Sequence, residues 1–313
     1  MVSILILSVA LVASIIILAK GSDIFTDAAK ELSHILGITY TVVGILIVSI
    51  STTLPENTVS IYSAATGAPQ VAFGNGVGSI IFNVGVAVAI GSILKKGNKL
   101  DSHVYMEDIP VMMGLTLLAW VFSYINSDIS RLEGTILLIL GIVYYVLRFR
   151  RSKSRENAKR SDNLPKMILL LLTGLLMVVL GSVGLKESGV RIAKELGVPE
   201  IYISIVLIAV GTSIPELATA VASALKGVGE ISVGNVIGAN IIDVSIAVGL
   251  AAVICPIPID PQSLSLTFPF TLAIFLIFEI GVLIRKRMDW TVGLPLLLVY
   301  YGYVYVLYLS YTS

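Results

Sequence analysis

The 313-residue chain has a net charge of +1, and 56% of its residues are hydrophobic while only 13% are charged. A soluble globular chain carries about twice this share of charged residues, so the composition excludes an ordinary water-soluble domain. The net charge of +1 does not point to nucleic acid, and we expect no nucleic-acid partner.

Apolar stretches of about 20 residues, the length that crosses a bilayer as a helix, recur along the whole chain. They predict an all-α polytopic membrane protein with ten transmembrane helices. The first three residues carry no positive side chain, so we expect the first span to be retained rather than cleaved as a signal peptide. Residues 20–36 are mixed in character, and we expect them to prolong the first helix into the interface. The predicted spans are 2–19, 38–63, 71–94, 109–126, 132–149, 166–185, 199–223, 231–254, 265–284 and 291–310.

Lysine and arginine are distributed unevenly among the loops. Of the 21 such residues, 17 follow odd-numbered spans, and eight of these lie between Arg148 and Lys166. Cytoplasmic loops carry the excess of positive residues. We therefore predict a cell-membrane protein with odd-numbered loops in the cytoplasm and both termini outside. The segment 150–165 is then a basic cytoplasmic linker that faces anionic lipid headgroups.

The sequence contains an internal repeat. Each residue of the second copy stands at the same distance in numbering from its counterpart in the first copy, and we call this constant distance the repeat shift. It aligns "STTLPEN" from Ser51 with "GTSIPEL" from Gly211, and "GNGVGSIIFN" from Gly74 with "GNVIGANIID" from Gly234. We therefore predict two five-helix repeats, 1–149 and 166–313. Because five is odd, the second repeat enters the membrane upside down. This is the inverted-repeat plan of many secondary transporters, whose substrate site lies near the midplane.

Four carboxylates lie well inside predicted spans, at Glu56, Glu216, Asp243 and Glu279. An ionised group at the bilayer centre costs roughly 2.5–3.5 kcal/mol on insertion scales, so each of them needs a compensating partner. Glu279 precedes the basic run at 285–287, and we expect it to pair there or to reach the interface. The other three fall inside the repeated blocks with no cation of the same span nearby.

Polar side chains accompany these three carboxylates at helical spacing. Thr52 precedes Glu56 by four positions, and Thr212 precedes Glu216 by four. Further positions at intervals of four are Asn75, Ser79 and Asn83 in the third span, and Asn235, Ala239 and Asp243 in the eighth. We expect the side chains on such stripes to converge on one place.

Pro55 and Pro215 cannot donate a backbone hydrogen bond, so we expect loosened carbonyls at 49–51 and 209–211. Carboxylates, hydroxyls, amides and carbonyls then form an all-oxygen cage of the kind that suits a hard cation such as Ca²⁺. Borderline and soft metals prefer His or Cys, and Cys255 is the single cysteine. Packing is the alternative interpretation, because kinks and Gly-x-x-x-Gly spacing also bring membrane helices together.

At these motifs the chain resembles sodium/calcium exchangers of the cation/Ca²⁺ antiporter superfamily, most of all the archaeal members. "TTLPEN", "TSIPEL", "GNGVGSIIFN" and "GNVIGANIID" resemble the two α-repeats of that family. The resemblance implies a ten-helix fold with its site between the second, third, seventh and eighth helices. The ligands that it implies are Glu56, Asn83, Glu216 and Asp243 in the centre, the hydroxyls of Thr52, Thr53, Ser79, Thr212 and Ser213, and carbonyls near Ser49 and Ala209.

The function implied by the resemblance is exchange of Na⁺ for Ca²⁺ by alternating access, with electrogenic extrusion of Ca²⁺ and with the first and sixth helices as a sliding gate. The protein is then not an enzyme and needs no cofactor. Its partners are the two ions and membrane lipid, with no obligatory protein partner. Three positions depart from the family pattern: Ser51 and Thr53 replace the usual Gly and Ser, and Ala239 replaces a serine of one peripheral Na⁺ site.

Other functions use parts of the same pattern. A proton-driven Ca²⁺ antiporter stays open as the second candidate, because Ala239 weakens one expected sodium ligand. A passive cation channel needs several weak sites along a continuous pore, which one deep cluster of carboxylates disfavours. An intramembrane aspartyl protease needs two facing aspartates, and Asp243 is the only one deep in a predicted span. A purely structural membrane protein is the remaining alternative.

Overall fold

The computed structural model describes residues 2–94, 98–152, 163–196, 211–261 and 263–312. Nearly all of these residues are helical. The helices are α1 (Val2–Leu36), α2 (Tyr40–Thr52), α3 (Leu54–Ala65), α4 (Pro69–Leu94), α5 (Val104–Asn126), α6 (Arg131–Ser152), α7 (Leu164–Glu195), α8 (Ile214–Leu225), α9 (Gly229–Ile254), α10 (Leu264–Arg285) and α11 (Trp290–Thr312). The strands are β1 (Asn98–Lys99), β2 (Asp128–Ile129), β3 (Ile257–Pro258) and β4 (Arg287–Met288).

Most of these helices are suited to a bilayer. Within the ranges given above, 8 are long and apolar enough to cross a membrane, or up to 9 if the bent pair α2–α3 counts as one span. The described part of the chain is therefore a mostly helical polytopic membrane protein, as the sequence predicts. The predicted seventh span, 199–223, begins outside the described residues, and its second half forms the short apolar helix α8.

Burial separates a central group of helices from a rim. The buried share is 78% for the apolar stretch of α9 and 72% for that of α4, but only 17% for those of α1, α6 and α11. The rim helices expose apolar side chains, as helices in contact with lipid do. The two repeated sequence blocks thus contribute α4 and α9, the most buried helices of the fold.

The second predicted span is broken at Thr53. Helices α2 and α3 meet at an angle of 47°. Pro55 lies in the first turn of α3, where it has no N–H to donate back into α2. Pro215 holds the equivalent position in the first turn of α8. Each proline therefore starts a new helix, and a glutamate follows it directly, Glu56 in α3 and Glu216 in α8.

The helices around the two motifs correspond under the repeat shift. Helix α3 and helix α8 have corresponding bounds. The regular parts of α4 and α9, Pro69–Phe82 and Gly229–Ile242, also correspond. Each continues into a π-helical stretch, Asn83–Val88 or Asp243–Leu250. Such wider turns inside α-helices are frequent at functional sites, and here they begin at two candidate ligands.

The all-α prediction needs one correction in the loops. β1 pairs antiparallel with β4, and β2 pairs antiparallel with β3. In each ribbon a loop of the first predicted repeat meets a loop of the second, because extended backbone between helices must satisfy its own polar groups. The repeat shift carries Asn98 onto Pro258 and Asp128 onto Met288. Under the repeat shift β1 corresponds to β3 and β2 corresponds to β4. The β1–β4 ribbon and the β2–β3 ribbon therefore correspond to each other, as α3 corresponds to α8 and α4 to α9.

Of the two expectations for Glu279, pairing with the basic run at 285–287 is not observed among the described residues, and reaching the interface stays a prediction. Arg285 and Arg287 contact the Asp289 carboxylate instead, at 3.2 and 2.8 Å. Burial raises the pKa of Asp289, but hydrogen bonds from Thr291 and Arg285 outweigh it and hold the pKa below its usual value. The turn at β4 brings this aspartate to the arginines, whereas Glu279 stays on α10, half-buried and without an ion pair among the described residues.

Helices α2 and α9 approach closely at Gly44. A Cβ atom added to Gly44 would lie 2.5 Å from the carbonyl oxygen of Ile231 and 2.8 Å from the amide nitrogen of Asn235. Both are backbone atoms of α9, which cannot move aside singly. The absence of a side chain at this position therefore sets the distance between α2 and α9, the two helices that carry candidate ligands from both repeats.

We predict that Gly44→Ala lowers the thermal stability of the purified protein, because overpacking of this kind costs about 1–3 kcal/mol. Thermal melting in detergent measures the effect. Gly114→Ala in α5 is the matched control, since a Cβ atom there meets nothing within 4 Å. Equal melting temperatures for the two variants would contradict the assigned contact between α2 and α9.

Candidate cation site

Three carboxylates lie at the centre of the fold. Glu56 and Glu216 stand in the first turns of α3 and α8, and Asp243 begins the π-helical stretch of α9. All three side chains belong to residues with 0% exposure. They are close enough to interact electrostatically with one another. Among the ion pairs of the described residues, none joins a lysine or arginine to any of the three.

Glu56 is held by two hydroxyl groups. Its Oε1 atom accepts hydrogen bonds from Ser79 at 2.7 Å and from Ser213 at 2.6 Å. Ser79 comes from α4, and Ser213 immediately precedes α8. These contacts bring residues of both sequence blocks to one carboxylate, as the motif spacing predicts. The second oxygen, Oε2, has no hydrogen-bond partner in the described residues.

Glu216 and Asp243 are less well satisfied. Neither oxygen of either carboxylate has a hydrogen-bond partner within the described ranges. The Thr52 side chain faces Glu216, but outside hydrogen-bonding geometry. A buried polar group without a partner is costly, and a buried ion far more so. The Asp243 and Glu56 carboxyl groups lie within reach of each other. With Oε2 of Glu56, five buried carboxylate oxygens therefore have no donor among the described residues and are open to a cation or to a proton.

Two threonine–asparagine hydrogen bonds join the sequence blocks. Thr52 donates to Oδ1 of Asn235 at 3.1 Å, and Thr212 donates to Oδ1 of Asn75 at 3.0 Å. The repeat shift turns one pair into the other. Each bond joins one sequence block to the other. The residues just before α3 and just before α8 are therefore held to the central helices α9 and α4 in the same way.

The asparagines of these pairs differ in their other contacts. Asn75 also donates from Nδ2 to the Glu56 carbonyl oxygen and to the Ser60 hydroxyl, both at 3.0 Å. The Nδ2 group of Asn235 has no partner in the part of the chain that the structure describes. The shift that carries Asn75 onto Asn235 carries Ser60 onto Ala220, which has no hydroxyl to accept a bond.

The Ser49 carbonyl is hydrogen-bonded, whereas the sequence predicts that Pro55 loosens it. It accepts hydrogen bonds from the Thr53 amide at 3.0 Å and from the Thr53 hydroxyl at 2.8 Å. Helical bonds join a residue to the fourth residue before it, so the donor missing at Pro55 affects the carbonyl of Ser51. A cation bound at the Ser49 carbonyl would displace the Thr53 hydroxyl and use its oxygen.

Two further predicted ligands remain. Asn83 donates from Nδ2 to Oδ1 of Asn240 at 3.1 Å, and its own Oδ1 has no partner among the described residues. Ala209 lies outside the described residues. Sequence reasoning missed Asn240, because the repeat shift pairs it with the apolar Ile80. Its place inside the repeated block "GNVIGANIID" was the available signal.

The candidate ligand atoms are oxygens of several kinds, not a cluster of acidic side chains alone. Within the described part of the chain, no group of three or more His, Cys, Asp and Glu is close enough to hold a metal ion by itself. A hard cation would therefore complete its shell with hydroxyl, amide and carbonyl oxygens, which Ca²⁺ accepts readily in sites of six to eight ligands.

A comparison with protein families finds a match over most of the chain. The sequence profile described as "Sodium/calcium exchanger protein" matches residues 6–150 and 166–309, and so includes both motif pairs. The chain belongs to the sodium/calcium exchanger family. The unmatched stretch between the two segments, 151–165, covers the predicted basic linker 150–165 except for its first residue.

Proteins similar in sequence cover most of the chain. The sodium/calcium exchanger MaX1 of Methanosarcina acetivorans is 28% identical over 95% of this chain and 97% of its own length. The inner membrane protein YrbG of Escherichia coli is 29% identical over 86% of each chain. A solved structure of the sodium-calcium exchanger NCX_Mj superposes with a TM-score of 0.86 at 24% identity, and covers 96% of this chain and 98% of that one. The fold is therefore that of NCX_Mj.

We predict that Ca²⁺ raises the melting temperature of the wild-type protein, because a ligand that binds only the folded state stabilises it. Glu56→Gln and Glu216→Gln each remove a buried carboxylate and are expected to abolish most of this increase. Glu279→Gln is the control, since Glu279 is another glutamate inside an apolar helix but lies away from these contacts. Loss of the increase in Glu279→Gln alone would contradict the site.

Proposed function

We propose that this chain is a secondary active antiporter that exchanges Na⁺ for Ca²⁺ by alternating access. The observation that carries the proposal is the group of five carboxylate oxygens without partners at membrane depth, on Glu56, Glu216 and Asp243. Membership of the sodium/calcium exchanger family supports it.

The proposed architecture has ten spans in two inverted repeats, 1–149 and 166–313, joined by the linker 150–165. The exchange of the two Thr–Asn hydrogen bonds under one sequence shift supports it. The two loop ribbons, which exchange under the same shift, support it as well. Inverted repeats explain how one site can open to either side, because the same rearrangement performed by each copy opens opposite faces.

In the proposed site Glu56 and Glu216 bind both ions in turn. Asp243, Asn83 and the hydroxyls of Thr52 and Thr212 complete the central shell. Peripheral Na⁺ ions would use three further side chains, Ser79, Ser213 and Thr53, and the carbonyls at Ser49 and Ala209. The hydrogen bonds from Ser79 and Ser213 to Glu56 support this assignment, since the same oxygens can turn their lone pairs to a cation.

The proposed gate is the pair α1 and α7. These helices pack along each other over much of their length, and their apolar stretches are only 17% and 28% buried. Neither contributes a carboxylate to the site. Because this pair holds none of the candidate ligands, it can move across the centre without breaking the hydrogen bonds that join α2 to α9 and α4 to the segment before α8.

Energetics favour an electrogenic exchange. A potential of about 100 mV is worth roughly 2.3 kcal/mol per charge, and a tenfold Na⁺ gradient about 1.4 kcal/mol per ion. Two Na⁺ ions then leave enough energy for a Ca²⁺ gradient of only about a hundredfold. Three ions leave about 6.5 kcal/mol, which sustains a gradient above about ten-thousandfold. We therefore propose extrusion of Ca²⁺ against entry of three Na⁺.

Vesicle flux tests this function. In vesicles reconstituted with the wild-type protein, Ca²⁺ movement is expected to follow an opposing Na⁺ gradient. It is expected to be absent in Glu56→Gln and Glu216→Gln and preserved in Glu279→Gln. Flux driven only by a pH gradient would favour the proton-coupled alternative, for which the alanine at position 239 is the supporting feature. Flux without any opposing ion would indicate a channel.

Labelling of cysteines tests the proposed orientation, in which Cys255 lies on the outer side and the linker lies in the cytoplasm. Cys255 is half-exposed, so a membrane-impermeant maleimide is expected to label it in intact cells. A cysteine placed in the linker by Ser154→Cys, in a Cys255→Ser background, is expected to react only after lysis. The opposite pattern would reverse the topology, and reaction of both after lysis is the control for accessibility.

A further inference from the structure

The two glutamates of the site differ in their hydrogen-bond donors. Ser79 and Ser213 both donate to Glu56. The repeat shift pairs them with Ala239 and Thr53. The alanine has no hydroxyl, and the threonine hydroxyl is turned to the carbonyl of Ser49. The Glu216 side of the site therefore lacks both of the donors that the Glu56 side has.

A tyrosine from a rim helix lies on the Glu216 side, where the two hydroxyl donors are missing. Tyr145 lies on α6, and its hydroxyl donates to the carbonyl oxygen of Gly238 at 3.0 Å and lies 3.1 Å from the Ser49 hydroxyl oxygen. Gly238 directly precedes Ala239, and Ser49 provides the carbonyl that Thr53 contacts. Tyr145 thus bridges α2 and α9 beside the position where the side-chain oxygen is missing.

The number of protons at this bridge limits its hydrogen bonds. Ser49 donates its hydroxyl proton to the carbonyl of Ile45 at 2.5 Å, and Tyr145 donates its own to Gly238. Each hydroxyl has one proton, so the contact between the two hydroxyl oxygens has none left. In every arrangement of the two protons, one of the three contacts lacks a hydrogen. The place where the Ser49 hydroxyl, the Tyr145 hydroxyl and the Gly238 carbonyl meet, which we call the Ser49 corner, is therefore rich in oxygen lone pairs.

We propose that Tyr145 is a positioning residue for cation binding on the Glu216 side of the site. Its hydroxyl holds the turn at Ser49 against Gly238, and so keeps the Ser49 carbonyl and the Thr53 hydroxyl in place beside Ala239. The inference rests on the proposed function, because it assigns Tyr145 to the binding of the exchanged ions. Tyr145 itself need not contact the cation.

The two ions are expected to depend on this bridge unequally. Ca²⁺ favours several carboxylate oxygens, so it draws mainly on Glu56 and Glu216 together. A single Na⁺ ion at the Ser49 corner meets one carboxylate and otherwise neutral oxygens, whose placement then decides its affinity. Loss of the Tyr145 hydroxyl should therefore weaken Na⁺ binding more than Ca²⁺ binding.

The test is Tyr145→Phe in reconstituted vesicles, with the half-saturating concentrations of Na⁺ and Ca²⁺ measured separately. Since the net worth of one hydrogen bond corresponds to a change of about three- to tenfold, we expect the Na⁺ value to rise by that factor. The Ca²⁺ value should change less than about twofold on the same scale. Ala239→Ser added to Tyr145→Phe restores a hydroxyl on this side, and should recover much of the Na⁺ affinity.

Tyr144→Phe is the matched control. It removes a hydroxyl from the adjacent residue of α6, but that hydroxyl donates to Asp108 at 2.9 Å and makes no contact with the site. The Na⁺ value of Tyr144→Phe should stay at the wild-type level. Thermal melting of all variants separates a change in stability from a change in affinity.

Three results would overturn the inference. They are an unchanged Na⁺ value in an active Tyr145→Phe protein, an equal change for both ions, or the same change in Tyr144→Phe. A lower melting temperature with wild-type affinities would likewise reduce Tyr145 to a packing residue. If the wild-type protein shows no Na⁺-driven Ca²⁺ flux, the proposed function itself fails, and this inference fails with it.

Discussion

Negative charge buried at membrane depth is the constraint on which the rest of the structure depends. Glu56, Glu216 and Asp243 are fully buried, and no basic residue in the described ranges pairs with them. Two features favour the charged state of the glutamates. Each stands in the first turn of a helix that begins inside the membrane, where the helix dipole is positive, and Glu56 also accepts two hydroxyl bonds. These contacts do not neutralise the charge, so the three carboxyl groups need a bound cation or protons to be compensated.

The prolines and the glycines make this placement possible by different means. Pro55 and Pro215 start α3 and α8 at the depth where the glutamates are needed, because a proline fits the first turn of a helix and not its interior. Gly44 lets α2 approach α9 until Thr52 reaches Asn235. If α2 and α9 were farther apart, this cross-repeat hydrogen bond could not form. The packing of the helices and the chemistry of the site thus have the same structural cause.

The sequence predicted the parts of the site that the repeat contains. Ser79 and Ser213, both candidates from the repeated blocks, lie together at Glu56, although their hydrogen bonds to that carboxylate were not predicted. Tyr145 was beyond such reasoning, because it stands in a largely apolar span and its shifted counterpart, Tyr305, is exposed. The pairing assumed for Glu279 failed for a related reason, since a turn formed with a distant loop brings Asp289 to the arginines first. Contacts that depend on tertiary folding outside the repeats carry no sequence period.

Differences between the two halves matter as much as their likeness. Three pairs related by the shift replace a hydrogen-bonding side chain or change its charge: Ser79 and Ala239, Ser60 and Ala220, Asn83 and Asp243. The first half saturates one oxygen of its glutamate with donors, whereas the second leaves both oxygens of Glu216 open among the described residues. A site with equal halves would offer one kind of position twice. Unequal halves provide positions of different charge and hydrogen bonding, which a protein that must bind ions of unlike charge in the same space requires.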